Sequence, residues 1–360
     1  MSLRIAIVLF VLIPIQVCAT DKFWIQFMPN NQLWLRLITD KETCPNITMD
    51  GVERQMRYHS RHNNAMQITS CKLHIPKGLN EIKVYDKTLK IPRDYRKILL
   101  IGDTGCRLKG LYSQDCKIEW PFAQVAVLAA QHNPDLVIHL GDYLYRELCT
   151  SAECISENTG DKWQAWRDDF FLPVGELLSS APWIMTRGNH ETCKRGGNGW
   201  FSFFDYRKKC YKYTRPYSID LSPDLRLIVA DSGEANLSPE VVNKVNDMAY
   251  GKRSWLITHR PFWVDRLNGI DYESKPSVLA STITTILSGH IHILQLSEVD
   301  GKVQVISGNG GSALYPVEKF SPHNTKGGFG FIVLEKKEDN NWQLNSFDLE
   351  NKITASRIIK

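Results

Sequence analysis

Eight side chains in this sequence have types and spacings suited to chemistry: Asp103, Asp142, Tyr145, Asn189, His190, His259, His290 and His292. Hard oxygen donors stand among imidazoles. Such a mixture can hold two metal ions that share one carboxylate, the arrangement that two-metal phosphoester chemistry requires. His290 and His292 are one residue apart and can point two imidazoles at one region as the chain leaves a strand. Asp142 and Tyr145 are three apart and can converge within a strand-to-helix turn. Each block alone has an ordinary structural explanation. A Gly-Asp pair often marks a turn, a lone His259 is often a satisfied structural residue, Asn189-His190 suits a helix cap, and Tyr145 suits a core. Five blocks in this order, each closing an apolar run, point instead to a joint function.

Those apolar runs are the elements that must position the blocks. Ile98-Leu99-Leu100-Ile101 leads to Asp103, Leu136-Val137-Ile138-His139-Leu140 to Asp142, and Trp183-Ile184-Met185 to Asn189. Leu227-Ile228-Val229-Ala230 leads to Asp231, Trp255-Leu256-Ile257 to His259, and Thr285-Ile286-Leu287 to His290. Near-continuous apolar strands imply sheets buried on both faces. Helical stretches at 122–131 and 239–250 lie between them, so the expected class is an α/β layered fold. In such sheets the chemistry sits beyond the strand C-termini, where every polar block falls. Residues 329–349 read as further strands closing the sheet.

Residues 21–92 have a different texture. Phe23-Trp24-Ile25-Gln26-Phe27, Leu33-Trp34-Leu35-Arg36-Leu37-Ile38 and Glu81-Ile82-Lys83-Val84-Tyr85 alternate like half-buried strands, punctuated by Asn30-Asn31 and Asp50-Gly51. A small antiparallel β-sandwich is expected here, with Pro92-Arg93-Asp94 as a linker. The division is therefore 1–19 leader, 20–93 β-sandwich and 94–360 catalytic domain.

The leader follows from Arg4, the apolar run Ile5 to Ile15 and the small-residue site near Ala19, which together read as a secretory signal peptide. The run is short for a membrane span, so no stable insertion is expected once it is removed. Setting aside Cys18, eight of the nine cysteines remain. In an exported chain an even number suggests disulfides. Neighbour pairing gives Cys44–Cys71, Cys106–Cys116, Cys149–Cys154 and Cys193–Cys210, with buried free thiols as the alternative. A net charge of +5 over 360 residues is too small to argue for nucleic acid.

Gly102-Asp103-Thr104-Gly105, Gly141-Asp142-Tyr143-Leu144-Tyr145, Gly188-Asn189-His190-Glu191, Ile257-Thr258-His259 and Gly289-His290-Ile291-His292 resemble the five blocks of the calcineurin-like metallophosphoesterases. The resemblance covers roughly 97–331. Where this superfamily usually has Asp-x-His, this chain has Gly105, and a tyrosine has appeared at 145; that variant looks like the purple acid phosphatase branch. It implies a sandwich of two mixed β-sheets flanked by helices, with a small N-terminal β-sandwich. It further implies that Asp103, Tyr145 and His292 hold Fe(III), which suits a hard phenolate. Asn189, His259 and His290 would hold a divalent Zn, Mn or Fe ion, and Asp142 would bridge. The implied activity is that of a secreted or periplasmic acid phosphatase acting on small phosphate monoesters. A metal-bound hydroxide would attack, and His190 would act as proton donor, a role suited to imidazole. A phosphodiesterase or pyrophosphatase on the same centre is the alternative, with an exported non-enzymatic binding module behind it.

Several neighbouring features carry their own expectations. Glu191, where the family often has Asp, is a candidate to hold the His190 ring. Arg187, Lys194 and Arg195 either attract phosphate or form a solvated basic loop. Trp200, Phe201, Phe203 and Phe204 either wall the pocket or fill the core. His139 is expected in the core. The glycine-rich stretch 307–312 lacks a P-loop lysine and reads as a tight loop on the active-site side.

Overall fold

A computed structural model describes residues 21–61, 66–109, 113–147, 158–275 and 278–360. The expected leader and the Cys149–Cys154 pair lie outside the described residues.

The N-terminal region supplies β1 (Lys22–Met28), β2 (Gln32–Thr39), β3 (Asn46–Met49), β4 (Val52–Gln55), β5 (Arg57–Ser60), β6 (Thr69–Ile75), β7 (Glu81–Val84) and β8 (Lys87–Lys90). The catalytic region begins with β9 (Lys97–Ile101), helix α1 (Phe122–Gln131), β10 (Leu136–His139) and β11 (Trp183–Met185). It continues with β12 (Tyr217–Asp220), β13 (Arg226–Val229), β14 (Ser254–Ile257), the hairpin β15 (Trp263–Arg266) and β16 (Gly269–Tyr272), and β17 (Ile283–Ser288). Last come β18 (Leu294–Val299), β19 (Lys302–Ser307), β20 (Thr325–Lys326), β21 (Phe331–Lys336), β22 (Trp342–Phe347) and β23 (Ile353–Ile359).

Two mixed sheets stack face to face. One has ten strands in the order β23-β22-β21-β9-β10-β11-β1-β2-β6-β5, the other seven in the order β12-β13-β14-β17-β19-β18-β20. The apolar runs make this possible because successive residues face opposite ways. Ile98, Leu100, Ile138 and Ile184 point between the sheets, where they meet Leu227, Val229, Trp255, Ile257 and Leu287. Leu99, Ile101, Val137 and Trp183 point outward into a second core roofed by helices. Phe122, Val125, Ala126 and Ala129 give α1 its buried stripe at helical spacing. Burial of each large aliphatic side chain contributes about 1.5–3 kcal/mol. Leu100→Ala would cost about 2–5 kcal/mol through the cavity left behind.

Register explains where the functional blocks emerge. Ile101 pairs with His139, and His139 with Met185, along parallel strands. On the facing sheet Val229 pairs with Ile257, Ile257 with Leu287, and Ser288 with Ile306. The C-terminal ends of these strands therefore lie level, and the turns after them meet at one edge of the sandwich.

The N-terminal strands do form a sandwich. One leaf is a four-stranded sheet, β4-β3-β7-β8. The other leaf, β1-β2-β6-β5, continues the ten-stranded sheet because β1 pairs in parallel with β11 at Gln26 and Trp183. Ile25, Leu35, Leu37, Ile47, Val84 and Leu89 fill the space between the leaves beside the Cys44–Cys71 disulfide. The shared leaf turns its other face to the catalytic region. There Arg36 donates to the carbonyls of Phe203 and Asp205, and His59 lies 2.9 Å from that of Phe201. These side chains satisfy carbonyls at the end of helix α2 (Gly197–Phe203) that the helix itself leaves open. Among the described residues no helix is long and apolar enough to cross a membrane. Cys106–Cys116 and Cys193–Cys210 are bonded as neighbour pairing predicts.

Candidate metal centre

Three of the predicted ligands sit in left-handed backbone at strand ends: Asp103 (φ 55°), Asp142 (φ 60°) and His290 (φ 70°). Such conformations cost on the order of 1–3 kcal/mol each for residues other than glycine and gather at functional sites. Here they turn the chain sharply so that the carboxylates face inward. The turns also brace one another: Asp103 N donates to Gly141 O at 2.9 Å and Thr104 N to Asp142 O at 3.0 Å.

The first donor group is closed. Tyr145 Oη lies 3.1 Å from Asp103 Oδ1, 3.1 Å from Asp142 Oδ2 and 2.7 Å from His292 Nε2. His292 Nδ1 stands 2.7 Å from Ala313 O, so that nitrogen carries the proton and Nε2 turns its lone pair inward. Burial and the carboxylates of Asp142 and Asp103 push the Tyr145 phenol well above its ordinary value. A nearby cation is what would reverse that and stabilise the phenolate.

The second group lies on the other side of Asp142. His259 Nδ1 is 2.8 Å from Leu140 O, while Nε2 is 3.0 Å from Asn189 Oδ1 and 3.2 Å from Asp142 Oδ2. Donor atoms of Asp142, His259 and His290 all lie within 4.8 Å of one another. Burial would raise the Asp142 carboxyl, but His259 and His190 beside it hold it well below the usual range. Burial would lower the His259 imidazole, but Asp142 raises it to about 9. Burial, with the charges of His259 and Arg260, lowers His290 far below its usual value. Buried carboxylates, a phenol and inward-facing imidazole lone pairs form a donor set that fits two cations sharing Asp142.

Gly105 has a steric explanation. A Cβ there would stand 2.6 Å from Tyr143 O, 2.8 Å from Tyr145 Cδ2 and 2.9 Å from Tyr145 N. The backbone of Tyr143 and Tyr145 and the Tyr145 ring together occupy the space that a side chain at 105 would need, which accounts for glycine there. Gly188 is similarly constrained, because a Cβ would approach Asp142 Oδ1 to 2.1 Å.

His190 borders the centre. Its backbone N donates to Asp142 Oδ1 at 2.8 Å, and its ring lies 3.7 Å from the Tyr145 ring, centroid to centroid. Nε2 faces the centre, 3.8 Å from Asp142 Oδ2. Nδ1 contacts Glu147, which also receives Arg195 Nε at 2.6 Å. The expected role of Glu191 is therefore corrected. Its carboxylate accepts the amides of Asp142, Tyr143, Leu144 and Gly188 at 2.8 to 3.1 Å, and it does not hold the His190 ring. The longer side chain reaches under the ligand turn and fixes its backbone.

Other residues divide between site and scaffold. Asp169 accepts the amides of Tyr145, Arg146 and Cys106, tying the turns that carry Gly105 and Tyr145 together. Arg187 is buried against Asp231 and the carbonyls of Tyr211 and Lys212, so it is scaffold. Lys194 is exposed. Trp200, Phe201, Phe203 and Phe204 are core, packed with Trp166, Phe170 and Phe171. His139 is core too, 3.0 Å from Thr104 Oγ1 and stacked on Tyr143. The glycine-rich loop does border the site: Ser312 N donates to Asp103 O at 2.8 Å. Glu147, Asp169 and Arg260 were missed by sequence reasoning. For Glu147 a signal existed, an acid within the same block as Asp142 and Tyr145.

The family model for calcineurin-like phosphoesterases matches residues 96–294. Among solved structures, the fold resembles a purple acid phosphatase, PPD1 from yellow lupin seeds, with TM-score 0.66 and 14% identity over 94% of this chain and 74% of that one. GAP50, the anchor in the inner membrane complex of Plasmodium, matches with TM-score 0.49 and 12% identity over 74% of this chain and 89% of that one. A dimetal phosphatase from Danio rerio matches with TM-score 0.41 and 10% identity over 74% and 99%. No curated protein sequence matches the chain significantly. The plant enzyme's likeness establishes the shared fold, which spans the N-terminal strands as well as the catalytic region. The family match covers more than half of the chain, and the protein belongs to the calcineurin-like phosphoesterases, hydrolases of phosphoester bonds.

Proposed function

We propose that the protein is an exported two-metal acid phosphatase of the purple type that hydrolyses phosphate monoesters. One observation carries this: Asp142 stands between two donor groups, and Tyr145 fills the room left by Gly105 in one of them. Asp103, Tyr145 and His292 would hold Fe(III); Asn189, His259 and His290 would hold Zn, Mn or Fe(II); Asp142 would serve both. When bound, the ions neutralise phosphate oxygens and lower the pKa of water.

The chain's own residues supply the rest. His190 Nε2 faces the centre and gives a proton to the leaving alkoxide. Glu147 receives Nδ1–H and sets the ring's orientation, and Arg195 holds Glu147 in turn. Glu191 and Asp169 keep the ligand turn rigid through backbone amides. The disulfides support an oxidising, exported location.

The test is hydrolysis of an aryl phosphate and a bis-aryl phosphate at several pH values, with metal content measured on the same protein. Faster turnover of the monoester at acidic pH is expected. Turnover of the diester alone would move the assignment to a phosphodiesterase. Full metal content with activity on neither would favour a binding module.

A further inference from the structure

Arg260 follows His259 directly at the end of β14 and takes no part in the assignment above. Its base is pinned: the backbone N donates to Ser232 Oγ at 2.8 Å and Nε donates to Ser232 O at 3.1 Å. Its tip reaches the centre, with Nη1 3.0 Å from His290 Nε2. The side chain is half-buried.

The other arginines near the centre each have a carboxylate: Arg146 has Asp169, Arg187 has Asp231 and Arg195 has Glu147. Arg260 has none within ion-pair distance among the described residues. A partly desolvated guanidinium without a counter-charge is costly. Placing it beside a histidine that would ligate a cation raises that cost further, because the two positive groups repel. An anion lying between them removes the conflict.

We propose that Arg260 is a substrate-binding residue that clamps the phosphoryl oxygens on the His259–His290 side and favours a monoester dianion over a diester. This rests on the phosphatase assignment. A planar guanidinium offers two parallel N–H groups to one phosphate. A monoester has enough non-bridging oxygens to face both the metal side and the fork, whereas a diester has one fewer and one less charge. Arg195, already neutralised by Glu147, lies against the His190 ring, 3.1 Å from Nε2, and so stands with the proton donor rather than with the clamp.

The test compares native protein, Arg260→Ala and Arg260→Lys after metal loading. Inorganic phosphate binding is measured by calorimetry, metal content by elemental analysis, and KM and kcat with the two aryl esters. Arg260→Ala should keep its metals and bind phosphate about 10- to 100-fold more weakly. Its KM for the monoester should rise by a similar factor, and that for the diester by much less. Arg260→Lys keeps the charge without the fork and should fall in between. Phosphate binding within twofold of native in a fully metallated Arg260→Ala overturns the proposal. Should that variant lose metal, Arg260→Lys decides: weakened phosphate binding at full metal content supports the clamp, and native binding overturns it. A metallated native protein that neither binds phosphate nor hydrolyses either ester overturns the phosphatase assignment, and the clamp with it.

Discussion

The two sides of Asp142 are built differently. On the Tyr145 side every donor is locked. The tyrosine ring is wedged over Gly105, Asp169 holds its backbone, and His292 is fixed by Ala313 O and stacked 4.9 Å from Tyr315 at 12°. Asp103, Tyr145 and His292 are at most 3% exposed. On the other side Asn189 and His290 are half-buried, and Arg260 reaches in without a carboxylate. A closed, phenol-bearing pocket suits a hard ion that stays; an open one with imidazoles and an amide suits an exchangeable ion and an incoming phosphate. On the proposed assignment, the difference would separate a retained electrophile from the substrate's side of the reaction.

The largest expected effect comes from the residue common to both sides. Asp142→Asn should lose metal from both pockets, and activity should drop by more than the roughly 10- to 100-fold typical of losing an outer-shell partner. Retention of both ions, measured by elemental analysis, would remove Asp142 from the bridge. His190→Ala should cut turnover by about 10²- to 10⁴-fold with metal content unchanged; full activity would remove His190 from the mechanism. Glu147→Gln should cost less, about 10-fold in kcat, with little change in KM, because the ring is misoriented rather than lost. An equal loss from Glu191→Gln with no metal defect would contradict the roles assigned to the two acids. Gly105→Ala should lower stability by about 1–3 kcal/mol through overpacking, seen as a lower Tm, and should disturb the Tyr145 side first. A chelator should sharpen the comparison without mutation: the divalent ion should leave while the iron stays.

Much of this architecture was legible in the chain. The runs at 98–101, 136–140 and 255–257 announce buried strands, and the candidate ligands stand out because each follows such a run. Gly105 and Tyr145 were legible as a pair because both depart from the usual pattern. What stayed hidden depends on which loops meet. Asp169 lies in the short π-helical segment Arg167–Phe171, far along the chain from Cys106, and only the fold brings them together. Glu191 looked like a partner for its neighbour His190, yet its side chain points the other way, to the amides of the Asp142 turn. Arg260 stands next to a ligand, but its lack of a carboxylate is a property of three-dimensional surroundings. The N-terminal strands read as a self-contained sandwich because their alternation says nothing about a parallel partner at Trp183.

On the proposed assignment, Tyr145 stands in for a histidine and thereby selects Fe(III). The visible absorption spectrum of the oxidised, metal-loaded protein, recorded beside Tyr145→Phe with iron measured on both, tests it most directly. A tyrosinate-to-Fe(III) charge-transfer band is expected in the native protein and should disappear in the variant. A colourless, iron-free and fully active native enzyme would contradict it.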